Sequence, residues 1–141
     1  MDTSSEMRLA FWESTIAMIL DHPLLGIGWG SYFMVYPNYD YYMQGNFIKI
    51  VHAHNMYLNF MAEIGLFGFA SYMVCFFGVI YKAFKAHVMK LDILVKAMFL
   101  GIGLGLSALA LNGFTDYVMF NTELSMLVWL FSGIVVSGYK N

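Results

Sequence analysis

Three stretches, residues 65–81, 93–111 and 124–138, are almost purely apolar, and no other feature limits the possible folds more. A helix crosses the hydrocarbon core of a bilayer with about 20 residues. Inside lipid every backbone polar group needs a partner within the segment, so helices are the expected form. The first two runs have the required length, and the third borrows a few residues at its ends. Composition agrees. The chain is 60% hydrophobic and 11% charged, with a mean hydropathy of +0.66, whereas soluble domains carry about 25% charge. The expected fold class is an all-α membrane protein, with an outward amphipathic helix and loop followed by three transmembrane helices.

Lysines set the orientation. Lys82, Lys85, Lys90 and Lys96 crowd the connection between the first two runs, and Lys140 follows the third, so these five of the seven basic residues share one side. By the positive-inside rule that side is cytoplasmic, and the amino-terminal segment and the turn near residues 112–123 face outward. A net charge of -2 and the lack of a basic block leave nothing to track a nucleic acid. The single Cys75 excludes a disulfide framework and reads as a packing residue. No basic n-region, apolar h-region and cleavage site marks a secretory signal in the first twenty residues. A chain that starts outside without such a signal is expected to be the carboxy-terminal part of a longer polytopic protein.

The outward segment opens with "DTSSEMRLAFWESTIAMILDHP". Thr3 and Glu6 have capping-box spacing and Pro23 stops the helix. Leu9, Trp12, Ile16 and Ile19 recur with helical period, which suits the membrane interface. A glycine-rich turn, "LLGIGWGSYF", and a tyrosine-rich loop, "VYPNYDYYMQGNF", follow. One domain is expected, divided into an extracytoplasmic helix and loop (1–53) and a three-span region (54–141).

The stretch "HAHNMYLNFMAEIGLFG" concentrates polar chemistry at the entry to the first span. With a helix starting near His54, residues Asn55, Asn59 and Glu63 fall at i, i+4 and i+8 on one stripe. An ordinary interfacial helix cap explains the amides equally well. Glu63 needs a partner or a watery cavity. Arg8, the sole arginine, offers a planar donor fork suited to phosphate; packing beside Trp12 at the interface is the plainer alternative. "GIGWG" and "GIGLG" lack the strand–loop–helix setting of a phosphate cradle. In "GIGLG" the small residues fit close helix packing, while Gly26, Gly28 and Gly30 shape a turn. In "NGFTDYVMFNTE", Asn112 and Asp116 stand four apart, with Asn121 and Glu123 beyond. They are either loop polar residues or the mouth of a cavity shared with His54.

In order, "RLAFW", "DHPLLGIGWGSY", "HAHNMYLNFMAEIGLFG" and "NGFTDYVMFNTE" resemble the carboxy-terminal half of the O-antigen ligase and polymerase superfamily of membrane glycosyltransferases. The resemblance covers nearly the whole chain. Its most specific part is His54-Asn55, nine residues, then Gly65-x-x-Gly68, similar to a signature of the bacterial protein O-oligosaccharyltransferases. The threonine-tryptophan that some of those add is replaced here by Phe69 and Ala70.

The resemblance implies a role for each residue. His54 is implied as the base that takes a proton from an acceptor sugar hydroxyl. Arg8 is implied as a ligand of the diphosphate in an undecaprenyl-diphosphate-linked glycan donor. His52, Asn55, Asn59, Glu63, Asn112 and Asp116 become orienting or sugar-contacting groups, and Gly65 and Gly68 join the structural glycines. Trp29, Tyr36, Tyr39, Tyr41 and Tyr42 are candidates for stacking on sugar faces. The implied reaction inverts the anomeric centre without metal or other cofactor. It takes place in a bacterial inner membrane, at the extracytoplasmic face, with a glycolipid or glycan acceptor, membrane lipid around the chain, and no nucleic acid.

Family members have more spans and a second functional arginine in an earlier outward loop, so the chain alone is expected to be inactive without the amino-terminal spans. Two other readings are an ion- or proton-binding transport module using His52, His54, Glu63 and Asp116, and an inactive remnant of a split gene.

Overall fold

The computed structural model describes residues 3–40, 49–89 and 92–138. Helix α1 covers Thr3–Asp21 and the short α2 Tyr32–Val35, which runs into a 3-10 turn at Tyr36–Asn38. Helix α3 covers Met56–His87 and α4 Ile93–Asn112. A second 3-10 turn at Val118–Phe120 leads to α5, Thr122–Gly138. No strand occurs among the described residues. Lys90, Lys140, Tyr41 and Tyr42 lie outside them. Two compact units form: Met1–Ser71 with Gly113–Tyr117, and Tyr72–Asn112 with Val118–Asn141. The opening of α3 and the turn after α4 therefore fold with the amino-terminal segment rather than with the spans.

In the second unit, Phe76, Ile80 and Ala83 from α3 pack with Phe99, Ile102 and Leu106 from α4 and Val128 and Val135 from α5. Gly103 is the glycine of "GIGLG" that matters here, since a Cβ on it would come 3.3 Å from the Phe84 ring. Small residues permit this approach in membrane bundles. The outer faces stay apolar and open: Val74, Leu94, Leu104 and Trp129 are exposed, as lipid contact requires and water would penalise. Cys75, expected to pack, is exposed too. Asn121 caps α5 by accepting the Leu124 N–H at 3.1 Å. Met56–Ala86 and Ile93–Asn112 are long and apolar enough to cross a membrane, and α5 is a shorter apolar helix. With helices as the regular structure of its described residues and apolar outer faces, the chain is an all-α membrane protein.

In the first unit, α1 buries Ala10, Phe11, Ser14, Thr15 and Met18, a stripe of helical period one position off the expected one. Of the apolar stripe read from the sequence, Leu9 and Ile16 are exposed while Trp12 and Ile19 are half-buried, and the neighbouring face makes the protein core. Thr15 donates to the Phe11 carbonyl at 2.6 Å. Its only proton is thereby used, so the buried Tyr32 hydroxyl donates to Thr15 Oγ1 at 2.7 Å. Tyr39 reaches back to Asp21 at 2.7 Å.

Helix α3 is broken at Gly65, whose φ of 64° and ψ of -177° are not helical. The segment after α1 fills the break. Ile27 and Gly28 donate N–H bonds to the carbonyls of Ala62 and Glu63, both at 2.9 Å. Leu66 and Phe67 donate to Pro23 and Leu24 at 2.8 and 3.4 Å. Each half-helix thus has its exposed terminal groups satisfied by another piece of backbone, which a break near lipid requires. Two glycines make the approach possible: a Cβ on Gly26 would lie 2.5 Å from the Glu63 carbonyl, and one on Gly65 would overlap Leu24. Gly68 sits against Ile64. At 1.5 Å per residue, the part of α3 after Gly65 is roughly 30 Å long, comparable to the thickness of a bilayer core.

Candidate functional site

Local chemistry at the start of α3 presents the histidines. Asn55 is the cap: its Oδ1 accepts the N–H groups of Tyr57 and Leu58, each at 3.0 Å. The helix therefore begins at Met56 with Asn55 as its cap, and Asn55, Asn59 and Glu63, expected on one stripe, are all buried. The Asn55 Nδ2 donates to the Phe114 carbonyl at 3.0 Å, and the Met56 N–H donates to the Gly113 carbonyl at 2.7 Å. Both bonds hold the 113–117 turn against the histidine loop. Asn59, fully buried, accepts the Ala53 N–H at 3.0 Å and fixes the loop from below.

That turn delivers Asp116 to His54. The His54 Nδ1 lies 3.2 Å from Asp116 Oδ1, with the two side chains 37% and 52% exposed. A carboxylate only accepts hydrogen bonds, so Nδ1 is the donor, and in the neutral ring Nε2 then keeps its lone pair. Asp116 is held in turn by the Tyr117 N–H at 2.8 Å. His54 has a φ of 49°, the one positive value among described non-glycine residues. Such a conformation is sparsely populated, persists where its surroundings enforce it, and clusters at functional sites. Here its N–H donates to His52 Nδ1 at 3.2 Å, and the two rings meet edge-on at 4.2 Å. Burial pushes the His52 imidazole below its ordinary value, neighbouring His54 adds to this, and Asp116 opposes it.

His52, His54 and Asp116 offer three ligand atoms within 4.8 Å of one another. In the fold as it stands, His54 Nδ1 bonds Asp116 and His52 Nδ1 accepts the His54 N–H.

Helix α1 supplies the opposite wall. The Phe11 ring stacks on His54, with centroids 5.8 Å apart and planes at 25°. Arg8 stands one turn before Phe11 on the same helix face, with its side chain exposed. Nothing in the sequence marks Phe11 except that spacing. Glu63 has the partner its position called for: its Oε1 accepts the Tyr32 N–H at 3.2 Å, with a further backbone bond from Gly30. Burial pushes the Tyr32 hydroxyl above its usual value, partly offset by the Thr15 bond. Gly26, Gly28 and Gly30 all have positive φ. Asn112 is the last residue of α4, so the helical i, i+4 pairing with Asp116 does not form. Of the aromatic candidates, Tyr36 is only 2% exposed and packs against Phe11, whereas Trp29 is 67% exposed.

An apolar α-helical membrane protein with an imidazole–carboxylate pair beside an arginine-bearing helix is a definite class of molecule. The O-antigen ligase family profile matches residues 1–73, and the chain belongs to that family. No curated protein and no solved structure matches it.

Proposed function

We propose that this chain carries the base and part of the phosphate-binding surface of a glycosyltransferase. It transfers or polymerises a glycan from an undecaprenyl-diphosphate carrier onto a sugar hydroxyl in surface polysaccharide synthesis. Family membership supports an O-antigen ligase- or polymerase-like activity in general terms. The observation that carries the residue assignment is the His54–Asp116 bond at 3.2 Å. With Nδ1 engaged by Asp116, Nε2 is the ring nitrogen left for an acceptor hydroxyl.

In the reaction, His54 Nε2 takes the proton of the acceptor hydroxyl while that oxygen attacks the anomeric carbon. The bond from this carbon to the diphosphate oxygen breaks, its electron pair leaves with the lipid diphosphate, and the configuration inverts. Asp116 stabilises the imidazolium and keeps the ring oriented, as a carboxylate partner does in other histidine bases. Arg8 faces the departing diphosphate and offsets its charge. One guanidinium balances only part of that charge, so cationic groups from further amino-terminal spans complete the site. The chain by itself is inactive on this reading. The lysine bias supports a site on the extracytoplasmic side, and the proposed lipid-linked donor is one of the bacterial inner membrane. No step uses a metal or other cofactor.

His54→Ala and Arg8→Ala in the full-length parent, expressed at normal levels, test the assignment. Loss of transfer from a lipid-linked glycan is expected in both. Retained transfer with lost ion flux would instead favour an ion-binding module built on His52, His54 and Asp116.

A further inference from the structure

The five residues 28–32 form a turn that is fastened at both ends to one residue of α3. The Gly28 N–H donates to the Glu63 backbone carbonyl at 2.9 Å, and the Tyr32 N–H donates to the Glu63 carboxylate at 3.2 Å. Between them the Ser31 N–H closes onto the Gly28 carbonyl at 3.2 Å. Trp29 and Gly30 are therefore the corner residues. Gly30 has a φ of 71°, the value a type II turn demands at its second corner. A side chain on Gly30 would meet nothing within 4 Å, so the space above the corner is open.

Trp29 is 67% exposed, yet it is not loose. One face of its indole lies on the buried Phe60 ring, with centroids 5.7 Å apart and planes at 19°. Phe60 meets Tyr117 at 5.5 Å, Tyr117 meets His52 at 5.9 Å, and His52 meets His54 at 4.2 Å. A continuous row of rings thus runs from the proposed base to an indole whose second face is uncovered. The row is pinned by α3 and by the turn that carries Asp116.

We propose that the open face of Trp29 is a saccharide subsite, stacking on one pyranose ring of the donor glycan or of the acceptor, with Glu63 as its positioning residue. The proposal rests on the glycosyl-transfer reading above. An indole face is the negative pole of its quadrupole, and the axial C–H groups of a pyranose present a weakly positive apolar face of matching size. A ring fixed on both sides by glycine-bounded backbone loses little freedom when it binds, which favours a weak but oriented contact. Stacking of this kind is worth about 0.5–1.5 kcal/mol, or roughly 2- to 13-fold in binding.

Two arms test this. In the full-length parent, Trp29→Ala is expected to raise KM for one saccharide substrate by roughly 2- to 13-fold, with a smaller change in kcat, while Trp29→Phe restores most of it. The substrate whose KM moves, donor or acceptor, identifies the source of the ring. Glu63→Ala should reproduce the KM change and Glu63→Gln, which keeps an acceptor oxygen, should rescue it. Unchanged KM values for both substrates in Trp29→Ala would overturn the subsite. The transfer reading is judged separately by His54→Ala.

For direct binding, the Trp12→Phe, Trp129→Phe chain in nanodiscs leaves Trp29 as the one tryptophan, excited selectively at its red edge. Its emission should shift with core oligosaccharide released from lipopolysaccharide or with O-antigen repeat released from its carrier. Quenching by brominated acyl chains with no saccharide response would assign the ring to the lipid interface and overturn the proposal.

Discussion

The imidazole of His54 and the carboxylate of Asp116, 62 positions apart in the chain, meet at 3.2 Å. The contact depends on three backbone or amide bonds made elsewhere: Asn55 to Phe114, Met56 to Gly113, and Tyr117 to Asp116 itself. An exposed imidazole–carboxylate contact adds little stability by itself. What it supplies is a fixed ring orientation.

If His54 is the base, His54→Ala in the full-length parent should lower kcat by about 10²–10⁴-fold. Asp116→Asn keeps the size and removes the charge, and should cause a smaller loss. Equal, complete losses in both would remove Asp116 from the role given to it.

The cap on α3 gives a second expectation. Asn55→Ala should lower stability by about 1 kcal/mol through the lost cap and free the 113–117 turn. Asn55→Asp retains the cap oxygen but not the donor to Phe114. It should fold nearly as well yet show faster amide exchange at residues 113–117, which hydrogen exchange by mass spectrometry reads directly.

Gly65→Ala should be among the most damaging single changes. A left-handed backbone alone costs a non-glycine residue roughly 1–2 kcal/mol, and here the added carbon would also overlap Leu24. Gly26→Ala attacks the same interlock from the other strand of backbone. Thermal unfolding in detergent should find the double variant less destabilised than the two single effects added together, as expected of residues that share one contact.

His52 predicts a pH dependence. Its imidazole is held below the ordinary 6.5, first by burial and then by His54. Between the folded and unfolded values the unfolded chain binds more protons, so stability rises with pH across that window. The contribution is complete above 6.5 and is lost as pH falls through the lower folded value. Thermal midpoints of the wild type should drop on acidification through this window more than those of His52→Gln; parallel curves would refute the assignment.

Segments whose cues are local were legible in the sequence. The apolar runs became helices, and Asn55 became a cap, because period and capping bonds span only a few residues. Glu63 was recognisable as a group in need of a partner, but Tyr32 was not recognisable as that partner. The exposed stripe on α1 was visible as an apolar pattern, whereas the buried one, with Ser14 and Thr15 in it, was not, since two of its members are polar.

By itself the sequence determined a helical membrane chain, its polar histidine loop and its family, all encoded in composition, period and a short motif. Only the tertiary structure decided that Gly65 breaks α3, that residues 23–28 heal the break, that Phe11 lies on His54, and which nitrogen of that ring is free. The reason is distance along the chain. Each of these contacts joins residues tens of positions apart, and a partner's identity is set by where the backbone returns rather than by any neighbour in sequence.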